Sequence, residues 1–365
     1  MADPYVAIDL DKIEHNARAI VGLCGRHGIE VTGVTKGTCG YPEVAKAMLR
    51  GGVSSIGESR LRNIHRLKAA GVRANFMLLR IPEPSALEDV VDSVDVSLNS
   101  ELSVLAGLSE AARRRGRIHE VIVMVDLGDL REGVWPDDVV PFVGEALRLR
   151  GIRLLGLGAS LTCFSGVVPS EDNMNRLVDL ASEVEKTFGA PIDRISGGSS
   201  STLELIASGR MPRRINHVRV GEAILLGRET IHRRPWPGTA QDAFLLHAQV
   251  LELKDKPSLP IGERSEDAFG KVPAVENRGK VCRAILNLGR ADIDVEGLTP
   301  VDPGLEILGA SSDYLVVDVT RADRRVRVGD EFAFALNYGA LLAAMISPYV
   351  EKRPARGRTA ANAGR

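Results

Sequence analysis

The sequence predicts an α/β protein made of a (β/α)8 TIM-type barrel followed by a mainly β domain. Eight short apolar or β-branched runs alternate with helical stretches from about residue 30 to 225, which is typical of parallel strands joined by helices. After the proline-rich segment RRPWPG (233–238), strand-like runs follow one another with almost no helix. The 365 residues are enough for one large domain and a smaller one.

The individual elements follow in chain order. YVAIDLDKIEHNARAIV predicts a strand and a helix before the barrel; this strand is surplus to a barrel of eight, so we expect it to pair with the C-terminal domain. The eight barrel strands are predicted at residues 30–36, 54–59, 75–80, 94–99, 120–128, 152–160, 192–198 and 215–221. An open doubly wound sheet is the alternative, but eight units favour closure.

These elements divide the chain into three predicted regions. We expect the barrel over residues 1–235, the β domain over residues 236–352 and a tail over residues 353–365. The tail is polar, basic and rich in Ala and Gly, which predicts disorder.

Composition and cysteine spacing indicate which partners and which cellular compartment to expect. The formal charge of −1 gives no electrostatic support for binding nucleic acid or an anionic membrane. There is no N-terminal apolar segment and no run of 18 apolar residues, so we expect a cytoplasmic protein without a membrane span. Its four cysteines lack CxxC spacing, which indicates a reducing compartment rather than a disulfide framework.

One lysine stands at the end of the first predicted barrel strand. Lys36 lies in GVTKGTCGYPEVAKAM, between a β-branched run and a turn containing glycine. Barrel enzymes carry their reactive groups at the carboxyl ends of strands, and a lysine there can form a Schiff base with an aldehyde cofactor. A lysine extending into solvent from a strand end is the other interpretation.

Two later strand ends have the composition of an anion site. ISGGSSSTLELI (195–206) is a strand, a Gly-Ser loop and a helix start, in which Ser199 and Ser200 offer hydroxyls. HVRVGEAILLG (217–227) ends the next strand with Arg219 and then Gly221. Gly-Ser loops are common, but phosphate sites after strands 7 and 8 recur in this fold. Combined with Lys36, they predict pyridoxal 5'-phosphate as the cofactor.

Several segments resemble the alanine racemase fold type of pyridoxal phosphate enzymes, and within it the ornithine/lysine racemase branch. The resemblance covers roughly residues 5–350. It implies an amino-acid racemase whose substrate is a basic amino acid, ornithine or lysine, and a homodimer with shared active sites. The segments are VAIDLDKIEHNARAI, GVTKGTCGYPEVA, VMVDLGDLREG, VRVGEAILLG, LGASSDYLVVDVT and LNYGALLAAMISPYV.

The resemblance also implies roles for individual residues. Lys36 would carry the cofactor and act as one catalytic base. Arg219 would face the pyridine nitrogen, where a guanidinium cannot accept a proton, and Arg131 would bind the substrate carboxylate. Ser312 and Asp313 would belong to a loop that reaches the partner subunit's site. The residues that match phosphate contacts are Ser199, Gly221, Glu222 and Tyr338.

The chain departs from alanine racemases at positions that bear on catalysis. Met124 replaces the lysine that becomes carbamylated in those enzymes, and GLGASLTCFSG (156–166) lacks the histidine that stacks on the cofactor. A racemase needs acid–base groups on both faces of a planar carbanion. The second catalytic tyrosine is not in register, and PIGERSEDAFGK places Asp267 at or next to its position. We take Asp267 as the second base, with Tyr338 and Cys282 as alternatives; an ordinary loop carboxylate is the other interpretation of Asp267.

Three other functions fit parts of the pattern. One is a pyridoxal phosphate decarboxylase or metal-assisted lyase of the same fold type; because no His/Cys pair follows His247, we expect no metal site. Another is a non-catalytic pyridoxal phosphate homeostasis protein, but those single-domain barrels lack the β domain. The third is a barrel in which Lys36 is only structural.

Overall fold

The computed structural model describes residues 3–272 and 275–356. The chain divides into two compact units, one of Leu10–Gln241 and one that combines Met1–Asp9 with Asp242–Arg365. The first unit is the barrel. The second contains both the beginning of the chain and its C-terminal part.

Eight parallel strands form a closed barrel in chain order, as the sequence predicted. The last strand pairs with the first, placing Glu30 opposite His217 and Gly33 opposite Val220. Side chains of the middle strands, including Met77, Leu98 and Met124, pack into one buried apolar cluster. The strands are β2 (Glu30–Val34), β3 (Ser55–Glu58), β4 (Phe76–Leu78), β5 (Val96–Asn99), β6 (His119–Val125), β7 (Ile152–Ala159), β8 (Arg194–Gly197) and β9 (His217–Val220).

Helices connect these strands, and their ends follow local chemistry. In the longest helix, Ser170 accepts from the Asn173 amide in a capping box, and Gly189 ends the helix with φ 66°. The helices are α1 (Leu10–Gly25), α2 (Pro42–Arg50), α3 (Leu61–Ala69), α4 (Leu87–Ser93), α5 (Leu102–Arg114), α6 (Val139–Ala146), α7 (Glu171–Phe188), α8 (Leu203–Ala207) and α9 (Glu222–Leu226). None of the helices in the described ranges has the length and hydropathy that crossing a bilayer requires.

Over its described residues, the second unit is an eight-stranded, mostly antiparallel sheet with one α-helix. The elements are β1 (Tyr5–Asp9), β10 (Phe244–Pro257), β11 (Lys280–Leu286), β12 (Leu298–Pro300), β13 (Glu306–Ala310), β14 (Leu315–Asp318), β15 (Glu331–Leu336), α10 (Tyr338–Ile346) and β16 (Glu351–Ala355). The strand order in the sheet is β12-β15-β10-β11-β14-β13, and β1 pairs with both β10 and β16. Tyr5 of β1 lies opposite His247 and, on the other side, opposite Glu351.

The C-terminal segment differs from the prediction. Disorder was expected from residue 353, but residues 353–355 belong to β16 and pair with β1. The Arg353 guanidinium lies 3.7 Å from the centre of the Tyr5 ring, which stacks on His247 at 4.7 Å. A backbone ladder and a cation–π contact therefore order these residues. The remainder of the predicted tail, residues 357–365, lies outside the described residues.

Candidate active site

Lys36 stands at the carboxyl end of β2 and begins a short 3-10 turn. The amides of Thr38 and Gly40 donate to the Thr35 carbonyl at 2.9 and 3.2 Å, so the chain folds sharply around this position. Cys39 and Gly40 have φ of 52° and 60°. Although the strand before it is buried, Lys36 itself is exposed. Its amine is therefore accessible at the strand end.

A buried carboxylate lies beside this turn. Glu58 ends β3, has 0% exposure, and accepts from the Ser59 amide at 2.7 Å and the Thr35 hydroxyl at 3.1 Å. Burial raises the pKa of Glu58, while the hydrogen bonds and the positive charge of Lys36 act against this rise. Sequence reasoning missed Glu58, although an acid at the end of a barrel strand is itself a signal.

The loops after β8 and β9 are tied together by a serine. The Ser200 hydroxyl accepts from the Ala223 amide at 3.1 Å, and the Ser199 side chain accepts from the Ser201 amide. Gly198 has φ 103°, a conformation that favours glycine. The two loops thus present hydroxyls and helix-start amides side by side.

Gly221 and Glu222 follow β9 directly. A Cβ on Gly221 would lie 3.2 Å from the Val34 Cβ, so the ends of β9 and β2 approach closely. Glu222 begins α9, and its carboxylate pairs with Arg233. The first amide of a helix has no acceptor within the helix, which leaves the Glu222 amide as a donor to an anion.

Arg219 is held inside the barrel by other strands. Its Nη2 donates to the Ala159 carbonyl at 2.7 Å, and its Nη1 donates to Ser196. Burial lowers the pKa of Arg219 to about 10, so the guanidinium stays charged at neutral pH. His217 supports this arrangement because its Nδ1 lies 2.7 Å from the Ser196 hydroxyl. Burial also lowers the pKa of His217, which keeps the ring neutral.

Arg131 lies in the loop after β6 and contacts the loop after β7. It pairs with Glu132 and donates to the Ser160 hydroxyl at 3.0 Å. The Ser160 Oγ is 3.7 Å from the Cys163 Sγ. Asp129 joins the same two loops, because its buried carboxylate accepts from the amides of residues 163, 164, 165 and 167.

The other candidate residues belong to the second unit and lie in separate elements. Asp267 is exposed in a turn before β11, where its Oδ1 accepts from the amides of Phe269 and Lys271 at 2.8 and 2.9 Å. These amides lower the pKa of Asp267, which makes it a weaker proton acceptor. Cys282 lies on β11, and burial together with Asp255 raises the pKa of its thiol.

Tyr338 and the Ser312–Asp313 pair complete the set. Tyr338 is half-buried at the start of α10, whose N-cap is the Asn337 side chain. The Ser312 hydroxyl donates to the Asp313 carboxylate at 2.7 Å, in the loop between β13 and β14. The assignments of all these residues stay predictions.

Two further features bear on the chemistry. Within residues 3–272 and 275–356, no group of three or more His, Cys, Asp or Glu side chains could hold a metal ion.

A cavity of about 730 Å³ lies at the opposite, amino-terminal end of the barrel, lined by Asp95 and Arg153 among others. Arg153 is already paired with Glu120 and Asp193, and the candidate residues of the barrel are at the other end.

Sequence comparison identifies the family. The alanine racemase N-terminal domain matches residues 8–229. The chain is also 43% identical over 350 residues to an ornithine racemase of Acetoanaerobium sticklandii, covering 96% of this chain and 99% of the relative. The chain belongs to the alanine racemase family. A second member, a lysine racemase of Thermotoga maritima, is 42% identical over 352 residues, covering 96% of this chain and 98% of the relative.

Solved alanine racemases share the fold. An alanine racemase from Bartonella henselae, with covalently bound pyridoxal phosphate, superposes with a TM-score of 0.75 at 17% identity. The match covers 97% of this chain and 100% of that one. The family assignment confirms the resemblance that the sequence motifs indicated.

Proposed function

We propose that this protein interconverts the enantiomers of a basic amino acid, ornithine or lysine. The observation that supports the proposal is the identity of 43% and 42% to an ornithine and a lysine racemase over nearly the whole chain. Similarity to two racemases over nearly the whole chain makes the protein an amino-acid racemase, which is an isomerase. This function is supported over a decarboxylase, a lyase or a homeostasis protein.

The cofactor is pyridoxal 5'-phosphate, and the barrel residues fit it. The accessible amine of Lys36 suits its aldehyde. The hydroxyls of Ser199 and Ser200 and the amides of Gly221 and Glu222 suit its phosphate. We propose that Tyr338 also contacts the phosphate. When bound, the cofactor supplies an electron-withdrawing ring that weakens the Cα–H bond of the substrate.

The chain's own residues have distinct tasks in this proposal. Lys36 holds the cofactor and moves a proton on one face of the substrate. Arg219 presents N–H donors but accepts no proton, so it keeps the neighbouring ring nitrogen unprotonated. This weakens electron withdrawal and favours rapid return of the proton to Cα. Arg131 binds the substrate carboxylate through its guanidinium.

The other face of the substrate needs a second proton-transfer group. We assign it to Asp267, with Tyr338 and Cys282 as alternatives, and we place the Ser312–Asp313 loop next to the substrate. In the proposed homodimer these residues come from the partner's β unit. The four free thiols support a reducing, cytoplasmic compartment.

Replacement of the cofactor lysine tests the function. Lys36→Ala should abolish racemisation and the visible absorbance of the bound cofactor, because no amine remains to hold the aldehyde. Single enantiomers of ornithine, lysine and alanine should be incubated with the holoenzyme and separated by chiral chromatography. Lys186→Ala, on the exposed face of α7, is the matched control and should behave like the wild type. Racemisation at the wild-type rate in Lys36→Ala would refute the proposal.

A further inference from the structure

Arg131 and Glu132 form an ion pair between neighbouring residues. The Nη2 of Arg131 lies 2.5 Å from the Oε1 of Glu132, and the Nε contacts the other carboxylate oxygen. Their side chains are 34% and 22% exposed, so both charges lie at the edge of the protein surface. In this arrangement each residue neutralises the other.

The charges of Arg131 and Glu132 act in opposite directions on the pKa of the buried Arg219. Burial lowers the pKa of Arg219, and the negative charge of Glu132 partly counteracts that effect. The Arg131 guanidinium also reaches Ser160 at the end of β7. Glu132 is therefore close to the two arginines that the proposed function places around cofactor and substrate.

Two backbone hydrogen bonds anchor the loop that carries Glu132. The Val134 amide donates to the Met124 carbonyl at 2.8 Å, and the Asp126 amide donates to the Val134 carbonyl at 3.0 Å, so the loop returns to the strand it left. Gly133 has φ 139°, and a Cβ there would lie 2.3 Å from the Asp126 nitrogen. Only glycine fits this turn, which determines the backbone path next to Glu132.

Neighbouring carboxylates at the same end of the barrel are already engaged. Asp126 accepts from the amides of residues 128 and 130, and Asp129 accepts from four amides of the next loop. Glu58 is buried and accepts from Ser59 and Thr35. Glu132 differs because its partner is the arginine that is proposed to bind the substrate carboxylate.

We propose that Glu132 binds the distal ammonium of the substrate, and that the Arg131–Glu132 pair opens when the substrate enters. The inference rests on the proposed function. The α-carboxylate of the substrate pairs with Arg131 and its distal ammonium pairs with Glu132, so two ion pairs with the substrate replace the one between the two residues. An amino acid with a neutral side chain pairs with Arg131 through its carboxylate but leaves Glu132 without a counter-charge, so it binds less favourably than a basic one.

The test compares basic and neutral substrates of equal length on the holoenzyme. Glu132→Gln should lower kcat/KM for ornithine and lysine by about 10- to 100-fold, mainly through KM, because one member of a charge pair is removed. For norvaline and norleucine the change should stay within about threefold. Glu145→Gln, which breaks an exposed pair between Glu145 of α6 and Arg148 just after this helix, is the matched control. It should leave both values unchanged.

A shorter carboxylate provides a second, independent variant. Glu132→Asp keeps the charge but withdraws it by one methylene, so preference should shift from ornithine towards the longer lysine. Equal losses for basic and neutral substrates in both variants would overturn the inference. If the wild type racemises only neutral amino acids, the proposed substrate class fails instead. If it racemises none, the proposed function itself fails.

Discussion

His119 is a buried titratable group at the first position of β6. It is 4% exposed, and its Nε2 lies 2.8 Å from the Ser97 hydroxyl. Burial lowers the pKa of His119 from 6.5 to about 4. The native protein therefore leaves this ring neutral at a pH where the unfolded chain has already protonated it.

This difference predicts an acid-dependent loss of stability. Between pH 6.5 and about 4 the unfolded state binds up to one more proton at His119, so this residue lowers the free energy of unfolding by about 1.4 kcal/mol per pH unit as the pH is lowered. His119→Gln should remove this contribution, because one proton fewer is taken up on unfolding in this pH range. Urea unfolding at about pH 7 and about pH 5 measures it. His27→Gln replaces a histidine at an exposed position and serves as the matched control. A slope in His119→Gln equal to that of the wild type would contradict the assignment.

At the same scale, single residues show what the sequence could and could not reveal. The strand-end position of Lys36 could be predicted, because a strand end follows from local pattern. The hydrogen bond from the neighbouring Thr35 to Glu58 could not, since Glu58 belongs to another strand and its position depends on the pairing of β2 with β3. The support of Arg219 by Ser196 and His217 is hidden for the same reason. The turn made by Asp267 was also invisible, because it depends on backbone amides.

At the scale of elements, the loops after β6 and β7 behave as one structure. The loop after β7 has little regular structure of its own, and Thr162 has φ 70°. Its backbone amides instead converge on the Asp129 carboxylate at 2.9 to 3.2 Å. A buried carboxylate that accepts four amides replaces a local hydrogen-bond ladder. We therefore expect the order of residues 163–167 to depend on Asp129.

Asp129→Ala tests this dependence. Removing the carboxylate leaves four amides without their acceptor, so the free energy of unfolding should fall by about 1–3 kcal/mol. Hydrogen exchange followed by mass spectrometry should show loss of protection in residues 163–167. Asp137→Ala, at a side chain that is 83% exposed, should change neither quantity. Protection that stays intact in Asp129→Ala would show that other contacts order the loop.

Element boundaries mark the limit of prediction from periodicity. The first barrel strand was predicted to end at residue 36, but β2 ends at Val34 because Thr35 and Lys36 enter the turn. The sequence predicted almost no helix after residue 238, yet a helix begins at Tyr338. The Asn337 side chain accepts from the Ala340 amide at 2.8 Å and starts that helix. In both cases hydrogen bonds at the boundary decide where the element ends.

At the scale of the whole molecule, the first and last strands of the described chain, β1 and β16, belong to the same unit. Strand β1 lies between β10 and β16, so the sheet cannot be completed before the last strand is made. The barrel uses only contiguous sequence, Leu10–Gln241. The sequence indicated two units because helical alternation stops after residue 238. The pairing of residues 353–355 was missed because their polar composition is typical of a disordered tail.

The proposed sharing of active sites between two chains gives the final prediction. In such a dimer each site combines Lys36 of one chain with Asp267 of the other. A homodimer of either Lys36→Ala or Asp267→Asn should be inactive, because both of its sites then carry the mutation. A hybrid that contains one chain of each variant has one site with both mutations and one site with neither. Co-expression with two affinity tags and sequential purification isolates it. The hybrid should recover about half of the wild-type kcat per dimer.

The outcome separates the two parts of the assignment. A hybrid no more active than its parents would mean that each site is built within one chain, because only then do both sites of the hybrid carry a mutation. If Asp267→Asn alone keeps wild-type activity, the turn hydrogen bonds of Asp267 are its whole role. In that case, hybrids that combine Lys36→Ala with Tyr338→Phe or with Cys282→Ser are purified and assayed in the same way. The variant that is inactive alone but restored in the hybrid identifies the second proton-transfer group.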